Sequence, residues 1–190
     1  MIEPATDNSR AALRLRLRAE RQQFAAAEHF AAAHAALAGH LAAAVAQLEP
    51  LGLGQYWSIR SEFNAVVALA ADPMCDKLPW ALPYCLRVPR EMHYRAWDRS
   101  QPESRDECGI PTAAGAAVVP DVVLVPCVGF TRGGFRLGYG GGYFDRYLAA
   151  HPHVTTIGVA WSFCELDETL FAAQPHDIAL SLIVTEQGVV

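Results

Sequence analysis

The reading of the fold turns on Phe130-Thr-Arg-Gly-Gly-Phe-Arg136-Leu-Gly138-Tyr-Gly140-Gly141-Gly142-Tyr143-Phe144-Asp145-Arg146. Six of the ten residues from Gly133 to Gly142 are glycine. Just upstream, Pro120-Asp121 opens Val122–Val128, an unbroken apolar run that predicts a strand buried on both faces. Just downstream, residues 142–150 predict a helix. In a parallel sheet this order puts a pliant backbone at the carboxyl end of a strand, where ligands bind. Glycine lets successive N–H groups crowd around an anion, and a helix N-terminus adds a favourable dipole. Arg136 offers a planar, bidentate charge to the same anion. A glycine cluster by itself is equally a tight turn; Arg136, Asp145 and the neighbouring aromatic residues weigh toward a ligand.

Neither standard nucleotide motif is present. The pattern G-x-x-x-x-G-K-[ST] needs a lysine, and the sole lysine is Lys77. G-x-G-x-x-G also fails, because counting from Gly138 puts Tyr143 at the last glycine.

Outward from this stretch, Val154–Trp161 and Ala179–Val184 read as further buried strands. Residues 78–86 and 92–97 have strand composition, with Pro83 and Pro89 marking edges or bends. Residues 55–59 read as a strand, and 66–70 as strand or helix. The stretch 99–119 is polar, then rich in Gly, Ala and Pro, and reads as a connecting loop. Residues 9–49 read as helix from an N-cap at Ser9, with Gly39 as a candidate break and Glu49-Pro50 as the stop. The expectation is one α/β domain over 1–190: a three-layer, Rossmann-like arrangement with a mainly parallel sheet. The N-terminal helices would occupy 9–49, and the sheet with its loop at 130–146 would occupy 50–190.

Composition bounds the function. Hydrophobic residues are 52% and charged residues 18%, enough to bury a core and too apolar for a disordered chain. Fifteen basic against twenty acidic residues give a net charge of −5, and fourteen of the basic ones are arginine. That balance argues against a sequence-blind nucleic-acid binder and leaves room for a local arginine cluster aimed at a small anion. No segment reads as a membrane span, since the Ala-rich stretches are broken by Glu28, His29, His34, His40 and Gln47. Glu3 and Asp7, with no basic region before them, leave no visible signal peptide. The five cysteines are scattered without a C-x-x-C pair, and read as reduced thiols of a cytoplasmic protein. Arg10, Arg14, Arg18 and Arg21 fall within roughly an 80° arc of one helix face, while Arg16 points elsewhere. They form a solvated face, or a second phosphate clamp if this helix reaches the glycine loop.

The stretch Arg136-Leu-Gly-Tyr-Gly-Gly-Gly-Tyr-Phe-Asp145-Arg146 resembles the R-L-G-x-G-x-G-Y-Y-D signature of the 5-formyltetrahydrofolate cyclo-ligase family. Other pieces follow in family order: Arg10-Ala-Ala-Leu13-Arg14, Ser58 through Glu62, Pro83, Met92 with an aromatic two residues on, the Pro-Asp strand at 120–126, His176-Asp177, and Ile183-Val-Thr-Glu186. The resemblance implies an enzyme that uses ATP and Mg²⁺ to convert 5-formyltetrahydrofolate to 5,10-methenyltetrahydrofolate, ADP and phosphate. It implies that Arg10 and Arg14 hold ATP phosphates, and that Arg136, Leu137, Gly138, Tyr139, Gly140, Gly141, Gly142, Tyr143 and Phe144 wrap the nucleotide. Asp145 and Asp177 would hold the metal. Trp57, Glu62, Met92, Tyr94 and Tyr143 would hold the folate, with Tyr143 where folate and nucleotide meet, and Arg136 and Tyr143 would be the catalytic residues. Reduced folate and ATP would be the only partners, with no nucleic acid or membrane, and the chain would act as a monomer.

The chain departs from the family at three places on the substrate side, one being Trp161-Ser-Phe-Cys-Glu165, where a Gln usual after the penultimate strand is not evident, and it has Arg10 where the family usually has Lys. Glu62-Phe-Asn-Ala65 stands for Glu-Ile-x-Thr, and Ile110-Pro111-Thr112-Ala113 for Ile-Pro-Glu-Pro. These motivate an alternative, a divergent paralogue acting on another N-formyl substrate. A non-catalytic folate- or nucleotide-binding module is the alternative from a different class.

Overall fold

The computed structural model describes residues 9–169 and 171–190. The acidic start containing Glu3 and Asp7 lies outside the described residues. In chain order the helices are α1 (Arg10–Phe24), α2 (Phe30–Leu48), α3 (Ala65–Ala70) and α4 (Tyr143–Ala150). The strands are β1 (Leu53–Gly54), β2 (Trp80–Leu86), β3 (Glu91–Trp97), β4 (Ser104–Arg105), β5 (Pro111–Thr112), β6 (Ala117–Val118), β7 (Val122–Pro126), β8 (Gly129–Phe130), β9 (Arg136–Leu137), β10 (Thr155–Val159), β11 (Leu182–Thr185) and β12 (Gly188–Val189).

Eight of these strands form one sheet in the order β12-β11-β10-β7-β1-β2-β3-β6. The five central strands, β11 to β2, are parallel to their neighbours, and the flanking pairs are antiparallel. The expected α/β class with a mainly parallel sheet therefore stands. The apolar run at 122–125 is the reason: Val122, Val123, Leu124 and Val125 are all buried, which only a strand covered on both faces allows. β1 meets β2 only at Trp80 and Ala81, so Pro83 lies on an open stretch where its missing N–H breaks no ladder bond.

Three sequence expectations are corrected. The first helical region breaks at 25–29 and not at Gly39, which sits inside α2 with open space around it. Ser9 does cap α1, its hydroxyl accepting the Ala12 N–H at 3.2 Å. Residues 55–59 are not a strand: Gln55 N–H still bonds Ala81 C=O at 2.8 Å, and the chain then leaves the sheet. The loop 99–119 carries the short strands β4, β5 and β6. Residues 66–70, open between two states, are helical in α3, with the Asn64 side chain capping Val67 N–H.

α2 is also the one described helix long and apolar enough to cross a membrane by length and composition. That apolarity is largely alanine's. Its buried residues Leu37, Leu41, Ala44 and Val45 form a face that docks on β11, β12 and α3. A ring cluster of Phe24, Phe30, Phe63 and Trp161 ties the α1–α2 break to the sheet, with Phe24 and Trp161 centroids 4.9 Å apart. α4 packs on β3 through Tyr147 and Tyr94, 5.1 Å apart.

Candidate active site

The chain leaves β7 at Pro126, makes the β8–β9 hairpin, and runs through Gly138–Gly142 into α4. The hairpin divides the glycines into two sets. Gly133 and Gly134 serve its turn, where Gly134 N–H bonds Thr131 C=O at 3.0 Å and Gly133 N–H bonds the Glu168 carboxylate at 2.6 Å. Gly138, Gly140, Gly141 and Gly142 instead line a cleft of about 610 Å³. That size is ordinary for a site taking a cofactor-sized ligand. Gly140 at φ +92° and Gly142 at φ +67° need the conformational freedom of glycine, and Gly142 caps α4.

α1 reaches this loop, which decides between the two readings of its arginines. Arg14 Nε donates to Gly138 C=O at 2.7 Å, and its guanidinium lies beside Gly140. Arg10 pairs with Asp177 and donates to Ala172 C=O at 3.1 Å. Burial, then the neighbouring Arg10, pulls Arg14 below its ordinary value, with the Asp177 carboxylate opposing without pairing to it. An anion between α1 and the loop would relieve both effects. Arg16 faces away and approaches Glu20 at 3.7 Å.

Arg136 is nearly buried, and its Nη1 donates to Asp145 Oδ1 at 3.0 Å. Asp145 Oδ1 also accepts the Ile178 N–H at 3.4 Å, which leaves Oδ2 without a protein partner among the described residues. Burial pushes Asp177 up, but the Arg10 hydrogen bond and the Gln174 N–H at 2.7 Å outweigh it and hold the carboxyl below its ordinary value. The two carboxylates expected to hold a metal thus share the cleft, each committed to an arginine. Among the described residues no group of three or more His, Cys, Asp or Glu side chains could hold a metal ion.

The opposite wall comes from the chain that leaves the sheet after Gln55, and from β2, β3 and the 106–110 loop: Trp57, Glu62, Cys85, Met92, Cys108 and Ile110. Glu62 Oε2 accepts the Ile59 N–H at 2.8 Å. Burial pushes its carboxyl above the ordinary value, opposed by that N–H, by Arg21 and by the Tyr139 hydroxyl. Arg21, buried beneath, donates to Tyr139 Oη at 2.5 Å and Ser61 Oγ at 3.1 Å. Tyr139 therefore joins the glycine loop to the Glu62 segment. Tyr143 stands between the walls with its hydroxyl 3.1 Å from Cys108 Sγ; that hydrogen bond and desolvation push the phenol to about 12.

Two expected site residues do not reach the cleft. Leu137 is fully buried in β9 because its side chain alternates away from that of Arg136. Tyr94 shares a face of β3 with Met92, but α4 covers it through Tyr147, and its hydroxyl has no hydrogen-bond partner among the described residues. The departures at Ala65 and Thr112 also lie off the cleft. Ala65 is buried at the start of α3, and Thr112 is buried with Oγ1 bonded to Pro83 C=O at 2.8 Å. Sequence reasoning missed Tyr56, Asp106, Cys108 and Gln174, which line the cleft from loops without a periodic pattern. It also gave Arg21 no role of its own.

A sequence profile described as the 5-formyltetrahydrofolate cyclo-ligase family matches residues 84–186. The chain belongs to this family. The cyclo-ligase of Mycoplasma pneumoniae is 43% identical over 68 residues, 35% of this chain and 40% of that protein. The cyclo-ligase of Escherichia coli K12 is 40% identical over 70 residues, 36% of this chain and 38% of that protein. These sequence matches span well under two thirds of the relatives. In fold, the M. pneumoniae 5,10-methenyltetrahydrofolate synthetase superposes with a TM-score of 0.71 at 22% identity, covering 94% of this chain and 99% of that one. The Aquifex aeolicus 5,10-methenyltetrahydrofolate synthetase gives 0.69 at 22% identity, covering 95% and 91%. The family match therefore includes the glycine loop, Arg136, Asp145 and Asp177, while α1 with its arginines enters through the shared fold.

Proposed function

We propose that the chain is an ATP- and Mg²⁺-dependent 5-formyltetrahydrofolate cyclo-ligase, producing 5,10-methenyltetrahydrofolate, ADP and phosphate. One observation carries this reading. A single cleft has an arginine- and glycine-lined wall suited to phosphates facing an aromatic, carboxylate-bearing wall suited to a pterin. Arg14 and the backbone of Gly138–Gly142 would hold the triphosphate, with Arg10 and Arg136 adding charge. Trp57 and Met92 would flank the folate ring, and Glu62 would accept hydrogen bonds from its N–H groups.

The donor set fits Mg²⁺ in the way a nucleotide enzyme uses it, through one carboxylate with phosphates and waters completing the shell. Asp145 Oδ2 is the available oxygen, because Asp177 is held by Arg10. When bound, the ion would neutralise charge developing on the phosphoryl oxygens.

The reaction requires no protein nucleophile. The formyl oxygen on N5 attacks the γ-phosphorus as ADP leaves, N10 closes on the activated carbon and gives up its proton, and the former formyl oxygen departs with the phosphate. What this chain contributes is alignment and charge. Tyr143 keeps its proton at neutral pH and can donate a hydrogen bond where the two substrates meet. In this reading the chain acts as a monomer, and its free thiols accord with a cytoplasmic location.

Incubation of the folded protein with ATP, Mg²⁺ and 5-formyltetrahydrofolate should produce the absorbance of methenyltetrahydrofolate. Binding of folate or nucleotide with no product would favour the non-catalytic module and overturn the proposal. Ala65 and Thr112 lie outside the cleft, so the divergent-paralogue reading loses the contacts that motivated it.

A further inference from the structure

We propose that Cys85 and Cys108 form an oxidisable thiol pair, which a hydroperoxide links as a disulfide within the cleft wall opposite the glycine loop, reversibly switching the site off by taking from Tyr143 its hydrogen-bond partner. All five cysteines are free. Cys75, Cys127 and Cys164 are buried at 0–3% exposure, whereas Cys108 is half-buried and faces the cleft with Cys85.

The 106–110 loop is clamped to β2 at the residue that matters. Cys85 N–H donates to Asp106 Oδ2 at 3.3 Å, and Glu107 N–H donates to Cys85 C=O at 3.2 Å. Asp106 Oδ1 in turn accepts the N–H groups of Cys108 at 2.9 Å and Ile110 at 2.8 Å. This fastening sets the two side chains next to each other. Burial, the Asp106 carboxylate and a hydrogen bond with Cys108 together push the Cys85 thiol up. One carboxylate, that of Asp106, thus holds the backbone of both cysteines, and both side chains line the same stretch of the cleft wall. Cys85, buried and with its thiol pushed up, suits the resolving role, while Cys108 is the one that solvent reaches.

With hydrogen peroxide the chemistry closes in two steps. The Cys108 thiolate attacks one peroxide oxygen, giving a sulfenic acid as hydroxide leaves and takes up a proton to become water. The Cys85 sulfur, losing its proton, then attacks the Cys108 sulfur, and the sulfenic oxygen departs as a second water. Two thiols and one peroxide become one disulfide and two waters. The link takes from Tyr143 its partner at Cys108, in the cleft wall shared with Met92 and Ile110.

The pairing is independent of the cyclo-ligase reading; only the loss of turnover rests on it. The test treats the folded full chain with stoichiometric hydrogen peroxide, blocks remaining thiols with an alkylating reagent, and maps peptides without reductant. The expected product is a cross-linked peptide pair containing Cys85 and Cys108, lighter by two hydrogens and separated by dithiothreitol. Turnover should fall in proportion to the linked fraction and return on reduction. Cys108→Ser should form no link, and Cys85→Ser should leave Cys108 as a sulfenic acid that a dimedone-type probe traps. Both thiols alkylated intact, Cys108 paired elsewhere, or Cys108 driven to the sulfinic acid in the wild type would overturn the pair. A link that forms while turnover is unchanged would overturn its control of the site.

Discussion

Glu62 is the residue whose charge state matters most. Its carboxyl sits above the ordinary value of 4.5, chiefly through burial, with Ile59 N–H, Arg21 and Tyr139 opposing. A raised value means that the fold favours the protonated acid, so the carboxylate is lost as pH falls through a value above 4.5. On the proposed function, KM for the folate should rise on that acid limb while KM for ATP stays flat. Glu62→Gln should remove the limb and raise the folate KM by about ten- to a hundredfold, the worth of a charged hydrogen bond of about 1.5–3 kcal/mol. Steady-state kinetics across pH on both proteins checks this. Tyr94 supplies the contrast, since sequence reasoning set it beside the folate and α4 covers it. Tyr94→Phe removes a buried hydroxyl without a hydrogen-bond partner among the described residues, so the urea midpoint should hold or rise and the folate KM should not change.

At the scale of elements, the join of β9, the glycine loop and α4 does the work. Gly140→Ala would put a Cβ at φ +92°, 3.4 Å from the Arg14 guanidinium. Backbone strain of about 1–3 kcal/mol should appear as a lower urea midpoint. Displacement of Arg14 should raise the ATP KM while the folate KM moves little, read from paired titrations. Much of this element was legible. Periodicity gave β7, β10 and α4 to within a few residues, and the order of strand, glycines and helix gave the site. What misled was local. Gly39 looked like a helix break, yet a single glycine costs a helix only about 1 kcal/mol, and α2 absorbs it through its docked face. Residues 55–59 have strand composition, but after Gly54 the chain turns out of the sheet to carry Trp57 and Glu62 into the cleft. Tertiary demand overrode propensity there.

At the scale of the molecule, net charge conceals the site. A net charge of −5 averages over a cleft where Arg10, Arg14 and Arg136 meet residues 138–142. The arc of arginines on α1 was readable, but whether it faced solvent or the loop depended on where α1 docks. Leu13 and Leu17 bury the adjoining face of α1 and settle that. The 106–110 wall was less legible, because loops carry no period and Asp106 fixes it through bonds to Cys85, Cys108 and Ile110.

The central claim is that one cleft couples ATP cleavage to folate cyclisation. The direct measurement is simultaneous quantification of methenyltetrahydrofolate, ADP and phosphate during turnover with Mg²⁺. The account predicts equal amounts of all three, and no ADP when 5-formyltetrahydrofolate is left out. ADP released without the methenyl product, or product formed without ATP, would contradict it.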